Sequence, residues 1–168
     1  MNDVIEKVDT YNETPVIVFR RKGRGMTNLT GEKLSVNQVI AAMGRAGEAV
    51  GVPVGHFRAE PDISRSLYVF KVEFDATLPG EKRLEFLQRL DAGLGELNIE
   101  YEAKRASGRL GPPFLQVMKS GWYERGKQAL VADGKRLFQA KTVLLDAKAG
   151  YRPEPDELEA EVVLGEGS

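Results

Sequence analysis

Residues 66–75 alternate in character. Tyr68, Phe70, Val72 and Phe74 fall on one side of an extended chain, and Lys71 and Glu73 on the other. Side chains of a strand point to opposite faces in turn, so this pattern predicts a strand with one apolar face. Residues 80–97 then carry Leu84, Leu87, Leu90, Leu94 and Leu97 at spacings of three and four. That is a helical stripe shaped to lie on a sheet. Together the two segments constrain the chain to helices packed on a sheet.

The remaining segments fit the same architecture. Residues 4–9 and 15–21 read as two strands joined by Tyr11-Asn12-Glu13-Thr14-Pro15, whose Asn and Pro are turn residues. Residues 22–30, with Lys22-Gly23-Arg24-Gly25, have no period and read as a loop. Residues 35–50 form a helix that Ser35 can cap. Its stripe is Val36, Val39, Ile40, Met43 and Val50, filled by Ala46 and Gly47, and Gly51 and Pro53 stop it. Residues 54–60 are a strand that pairs with 66–75 as an antiparallel hairpin across Asp62-Ile63-Ser64-Arg65. Asn98 caps a short helix over 99–106, ended by Gly108, Gly111, Pro112 and Pro113. A strand at 114–118, a helix at 122–132 opening on Trp122, and a last short strand at 142–146 follow. The Glu- and Pro-rich tail from Gly150 is expected to be largely disordered. The fold class is therefore α+β: a mainly antiparallel sheet with helices packed on it, preceded by an N-terminal β-hairpin and hinge. Three parts are expected: a hairpin and hinge over 1–33, the α+β domain over 34–147, and a flexible acidic tail over 148–168.

Composition narrows the function. The 168 residues, 42% hydrophobic and 29% charged, suit one globular domain. Basic and acidic residues number 24 and 25, for a net charge of −1, so neither nucleic acid nor an anionic membrane is an expected partner. Cysteine is absent, which excludes disulfides, thiolate catalysis and cysteine-ligated zinc. His56 is the single histidine, so a Ser-His-Asp triad has only one residue to be built around. It reads as a half-exposed strand residue. No apolar run is long enough to span a membrane, and the first residues lack the features of a signal peptide. The expected location is cytoplasmic.

Four places carry a family resemblance. Asn28-Leu29-Thr30-Gly31-Glu32-Lys33-Leu34 follows the strand Val16-Ile17-Val18-Phe19-Arg20-Arg21. Asn2-Asp3 precedes Val4-Ile5-Glu6, and Tyr11-Asn12-Glu13-Thr14-Pro15 forms the turn after it. In the C-terminal half come Leu97-Asn98-Ile99-Glu100-Tyr101, Arg105 and Pro112-Pro113-Phe114, then Gly121-Trp122-Tyr123 and Gln139-Ala140-Lys141. In order and spacing, over residues 1 to about 147, this resembles the C-terminal part of the Gretchen Hagen (auxin-responsive) acyl-acid amido synthetases, adenylate-forming enzymes. Asn2 stands where the family has glycine, and Ala140 where it has tyrosine.

The resemblance implies a small domain that swings on a hinge, without the large domain that holds most of the active site. In such enzymes ATP, with Mg2+, and a carboxylic acid give an acyl-adenylate that an amine or amino acid then attacks. By resemblance, Asp3 matches the aspartate that binds the ribose of AMP. Gly31, Glu32 and Lys33 match a loop that lines the closed site, and Lys141 matches a late lysine that reaches the α-phosphate. Each has a plainer alternative. Asp3 can be a surface residue, Gly31-Glu32 the start of a helix, and Lys135 or Lys148 the reaching lysine. No Walker loop, Gly-x-Gly-x-x-Gly fingerprint or Ser/Thr/Gly-rich phosphate loop is present. The chain alone is expected to be inactive, to bind no cofactor, and to partner the missing N-terminal adenylation domain. Two other readings stand beside this one: a free-standing α+β protein-interaction domain, and a small-molecule-binding domain with an anion at Gly31-Glu32-Lys33.

Overall fold

The computed structural model of the chain describes residues 3–11, 14–22, 26–132 and 155–165. Its main sheet begins with β5 (Val54–Asp62) and β6 (Leu67–Phe74), paired antiparallel as the alternation predicted. It continues through β7 (Phe114–Met118), which runs parallel to β6, to β8 (Leu158–Val163), antiparallel to β7. The order is β5-β6-β7-β8. A parallel neighbour needs a crossover, and here it is made by helices α2 (Gly80–Leu97) and α3 (Ile99–Ala106). Helix α1 (Val36–Val50) precedes the sheet and α4 (Trp122–Ala132) follows β7.

Helices α1 and α2 cover one face. Val39, Met43, Ala46 and Val50 of α1 and Phe86, Leu87, Leu90 and Leu94 of α2 meet Phe57, Ala59, Phe70, Val72, Leu115 and Val117 of the strands in one core. The helix ends follow local chemistry. Ser35 and Gln38 form a capping box, and Gly51, at φ 74°, closes α1 by donating its N–H to the Glu48 and Gly47 carbonyls. Two stripe positions differ from expectation. Ile40 and Leu84 are 45% and 43% exposed, because each lies at the margin of its helix's buried arc, and Phe86 takes the central place on α2.

The expected solvent-facing side of β6 is also covered. Lys71 is fully buried, its Nζ 3.2 Å from Oε1 of Glu60 on β5. Val69, Phe114 and Met118 are buried on this side, and the Arg58 guanidinium lies 5.5 Å from the Trp122 ring centre. A buried ammonium persists only beside a carboxylate, which is what β5 supplies.

The tail corrects a second expectation. Leu158–Val163 is not disordered but an edge strand hydrogen-bonded to β7 from Phe114↔Val163 to Met118↔Leu158. Leu158, Ala160 and Val162 are half-buried, while Glu159 and Glu161 are exposed. The period-two pattern outweighs the acidic composition. The strand expected at 142–146 lies outside the described residues.

Strands β1 (Asp3–Tyr11) and β2 (Thr14–Lys22) form the N-terminal hairpin as a separate two-stranded antiparallel sheet. Between hairpin and α1, β3 (Met26–Thr27) pairs with β4 (Leu34–Ser35), closing the 28–33 loop at its base. Among the described residues no helix is long and apolar enough to cross a membrane.

Candidate functional site

The 28–33 loop is built around a carboxylate turned inward. Glu32 is 1% exposed. Its oxygens accept the Leu29 N–H at 2.7 Å, the Thr30 N–H at 2.8 Å and the Thr30 hydroxyl at 3.1 Å. They also accept the hydroxyl of Tyr68, from the central strand β6. Burial pushes the Glu32 carboxyl up, but the hydrogen bonds from Leu29, Tyr68 and Thr30 outweigh it and hold the group below its usual range. Burial, then the neighbouring Glu32 carboxylate, pushes the Tyr68 hydroxyl well above its ordinary value.

A second set of bonds anchors the loop from outside. Asn98 caps α3 by accepting the Tyr101 N–H at 3.0 Å, and its amide donates to the Glu32 carbonyl at 2.8 Å. The same amide reaches Gln38 Oε1 at 3.2 Å, and Gln38 donates to the Leu97 carbonyl at 3.0 Å. Asn28 accepts the Gly31 N–H at 2.6 Å, tightening the turn. The loop is thus tied to β6, α1 and α3 at once.

Two features are left at the surface. Gly31 has φ 110° and Lys33 φ 47°. Only glycine takes the first freely, and the left-handed region costs an L side chain roughly 1 kcal/mol. Such strain is held where surrounding bonds over-determine it, as the Glu32 clasp does. Lys33 is exposed. The face of Gly31 that lacks a side chain is approached by Lys104 of α3, whose Cε and Nζ lie 3.4 and 3.6 Å from where a Cβ would stand. Chemically this is a rigid loop presenting lysine ammonium groups. An ammonium is a compact point charge suited to phosphate oxygens.

The sequence-derived site residues therefore separate. Gly31 and Lys33 share the loop surface, while the Glu32 carboxylate serves the fold. Asp3 opens β1 in the separate hairpin, and Lys141 lies outside the described residues, as do Lys135 and Lys148. His56 is exposed on β5 and stacks on Tyr123 at 3.9 Å between ring centres. Tyr101 and Arg105, read above only as part of a pattern, converge on Asp91. The Tyr101 hydroxyl donates to it at 2.7 Å, and the Arg105 guanidinium donates to both its oxygens at 3.0 and 2.8 Å. Burial and then the Asp91 charge push the Tyr101 hydroxyl well up.

Sequence reasoning missed Tyr68, Asp91 and Lys104. Tyr68 carried only an apolar signal, and Lys104 no motif. A groove of about 540 Å3 runs along α1 and the start of β5 past Ile40, Gly47, Val54 and Phe57. Its one ionisable lining residue is Glu48, so the loop is the better candidate. Among the described residues no three His, Cys, Asp or Glu side chains gather as metal ligands.

Comparison with known proteins agrees with this fold. A family model, the GH3 family C-terminal domain, matches residues 37–148. No curated protein matches by sequence. Among solved structures, a GH3.15 acyl acid amido synthetase superposes with a TM-score of 0.67 at 17% identity, over 99% of this chain and 32% of that one. The AtGH3.15 acyl acid amido synthetase in complex with 2,4-DB gives 0.64 at 16% identity, over 98% and 31%. At that identity the likeness is one of fold. The chain spans about a third of the length of these structures.

Proposed function

The chain belongs to the GH3 family, whose C-terminal domain it carries, and on that premise we propose that it is the lid-like domain of an acyl-adenylate-forming amido synthetase. The parent reaction has two halves. A carboxylate oxygen attacks the α-phosphorus of ATP, the bond to the bridging oxygen breaks, and pyrophosphate leaves. An amine, such as that of an amino acid, then attacks the acyl carbon and releases AMP. ATP enters as its Mg2+ complex, and the dependence on ATP suits a cytoplasmic setting.

The observation that carries the reading is the 28–33 loop. Its carboxylate is consumed internally, so its outward charge is that of Lys33, beside a glycine whose bare face the Lys104 side chain approaches. Lys33 and Lys141 are the residues proposed to meet the phosphates, Asp3 the ribose, and Gly31 the close approach. An adenylation site needs clamps from both domains at once. A domain whose sequence holds no phosphate loop would supply only part of them.

The test is ATP–pyrophosphate exchange over a panel of carboxylic acids. The chain joined to its N-terminal adenylation domain should exchange, and the chain alone should not. Exchange by the isolated chain refutes the division of labour. No exchange by the joined enzyme with any acid favours a protein-interaction or small-molecule-binding role instead.

A further inference from the structure

Lys104 is unused by the reading above. It stands in the last turn of α3, where Glu100 one turn earlier offers the i, i+4 spacing at which Glu and Lys ordinarily pair on a helix surface. No ion pair engages Lys104 among the described residues. Its side chain lies against Gly31 instead, with Nζ 3.6 Å from the position of an absent Cβ. The loop's own carboxylate is buried and engaged by Leu29, Thr30 and Tyr68. A second ammonium group is therefore held against the same loop that presents Lys33, and among the described residues no ion pair within 4.0 Å engages it.

We propose that Lys104 is a second phosphate-binding cation of this domain, acting with Lys33 over the Gly31 backbone on the pyrophosphoryl end of ATP. The inference rests on the proposed function and adds a residue to it. When the bond from α-phosphorus to the bridging oxygen breaks, the electron pair and negative charge go to the departing pyrophosphate. Ammonium groups already positioned beside those oxygens offset that charge without reorganising. Gly31 suits the arrangement through its φ of 110°, which an L side chain rarely adopts, with the Lys104 stem at van der Waals distance from where a Cβ would stand.

The site can be tested on the chain itself, with inorganic pyrophosphate as the probe and amide NMR as the readout. Gly31 and Lys33 should show saturable shifts. Lys104→Ala should weaken the affinity by about tenfold at low salt, Lys104→Arg should restore most of it, and Lys127→Ala on α4 should change nothing. AMP should bind more weakly than pyrophosphate. An unchanged affinity in Lys104→Ala, or equal shifts around Lys127, overturns the site. AMP binding as tight as pyrophosphate overturns the pyrophosphoryl assignment. A normal amide spectrum of the Lys104→Ala chain shows that the fold is intact. Because this assay needs no acid and no turnover, its failure is separable from a failure of ATP–pyrophosphate exchange in the joined enzyme.

Discussion

Replacing Glu32 with glutamine would keep the shape of the loop clasp and remove its charge. The carboxylate accepts from two N–H groups and two hydroxyls, whereas an amide can accept only through its oxygen and turns an NH2 toward the remaining donors. Hydrogen bonds to a charged acceptor are the stronger kind. The expected cost is about 2 kcal/mol, measured by urea denaturation. The pH dependence has a definite sign. The Glu32 carboxyl is held below its ordinary value in the folded chain, so the unfolded state binds more protons in that range. Its contribution is complete above the unfolded value and is lost as pH falls through the folded one. The stability gap between the native chain and Glu32→Gln should therefore narrow below about pH 4. A gap that stays constant to lower pH would show that the charge contributes nothing. At Gly31, alanine meets a φ of 110°, while its Cβ would stand in van der Waals contact with the Lys104 stem at 3.4 Å. The expected loss is about 1 kcal/mol, from the same denaturation curves.

Strands show where sequence reading stopped. The helices were legible because their signals are local: Ser35 and Gln38 cap α1, Gly51 closes it, and Asn98 caps α3. The alternation of β6 correctly placed Phe70 and Val72 toward the helices. It did not reveal that Lys71 is buried, because that depends on Glu60, which only the hairpin register brings near. Nor did it reveal Tyr68 as a donor to Glu32, a partner 36 residues away. Strand β8 had a period-two signal in Leu158, Ala160 and Val162, but its pairing partner β7 lies far upstream, and the Glu- and Pro-rich composition suggested disorder. At the site, the glycine of the loop was legible and the inward turn of its carboxylate was not. Two measurements follow at this scale. Lys71→Ala leaves Glu60 buried with one cation fewer and opens a cavity, and should cost about 3 kcal/mol; Lys71→Met removes the same charge but refills the space, so it should cost less by the cavity contribution. Deleting residues 158–165 uncovers the edge of β7 and should produce concentration-dependent association in sedimentation. A monomer of unchanged stability would mean that β8 adds little to the sheet.

At the scale of the molecule, the proposed function divides one reaction between two bodies, and the division predicts how lesions distribute. Residues that act only when the lid is closed for adenylation should affect the first half-reaction and spare the second. Lys141, by its resemblance to the late lysine of adenylate-forming enzymes, is the proposed case. In the joined enzyme, Lys141→Ala should lower ATP–pyrophosphate exchange by about a hundredfold, the scale of losing one charge-stabilising donor. Transfer from preformed acyl-AMP to the amine should change much less, since no pyrophosphate leaves in that step. A lysine that acts only across the domain boundary should leave the isolated chain's melting temperature nearly unchanged, within the roughly 0.5 kcal/mol usual for surface substitutions. Lys33→Ala is the informative companion. It lies on a loop whose rigidity comes from Glu32 and Asn98 rather than from its own side chain, so it too should impair exchange without unfolding the domain. If Lys33→Ala abolishes exchange while Lys141→Ala leaves it intact, the adenylation cation belongs to the hinge loop, and Lys135 and Lys148 become the next residues to replace. If both leave exchange intact, Lys104 is the remaining proposed lid cation to replace, and only its loss without effect would leave all phosphate contacts to the large domain.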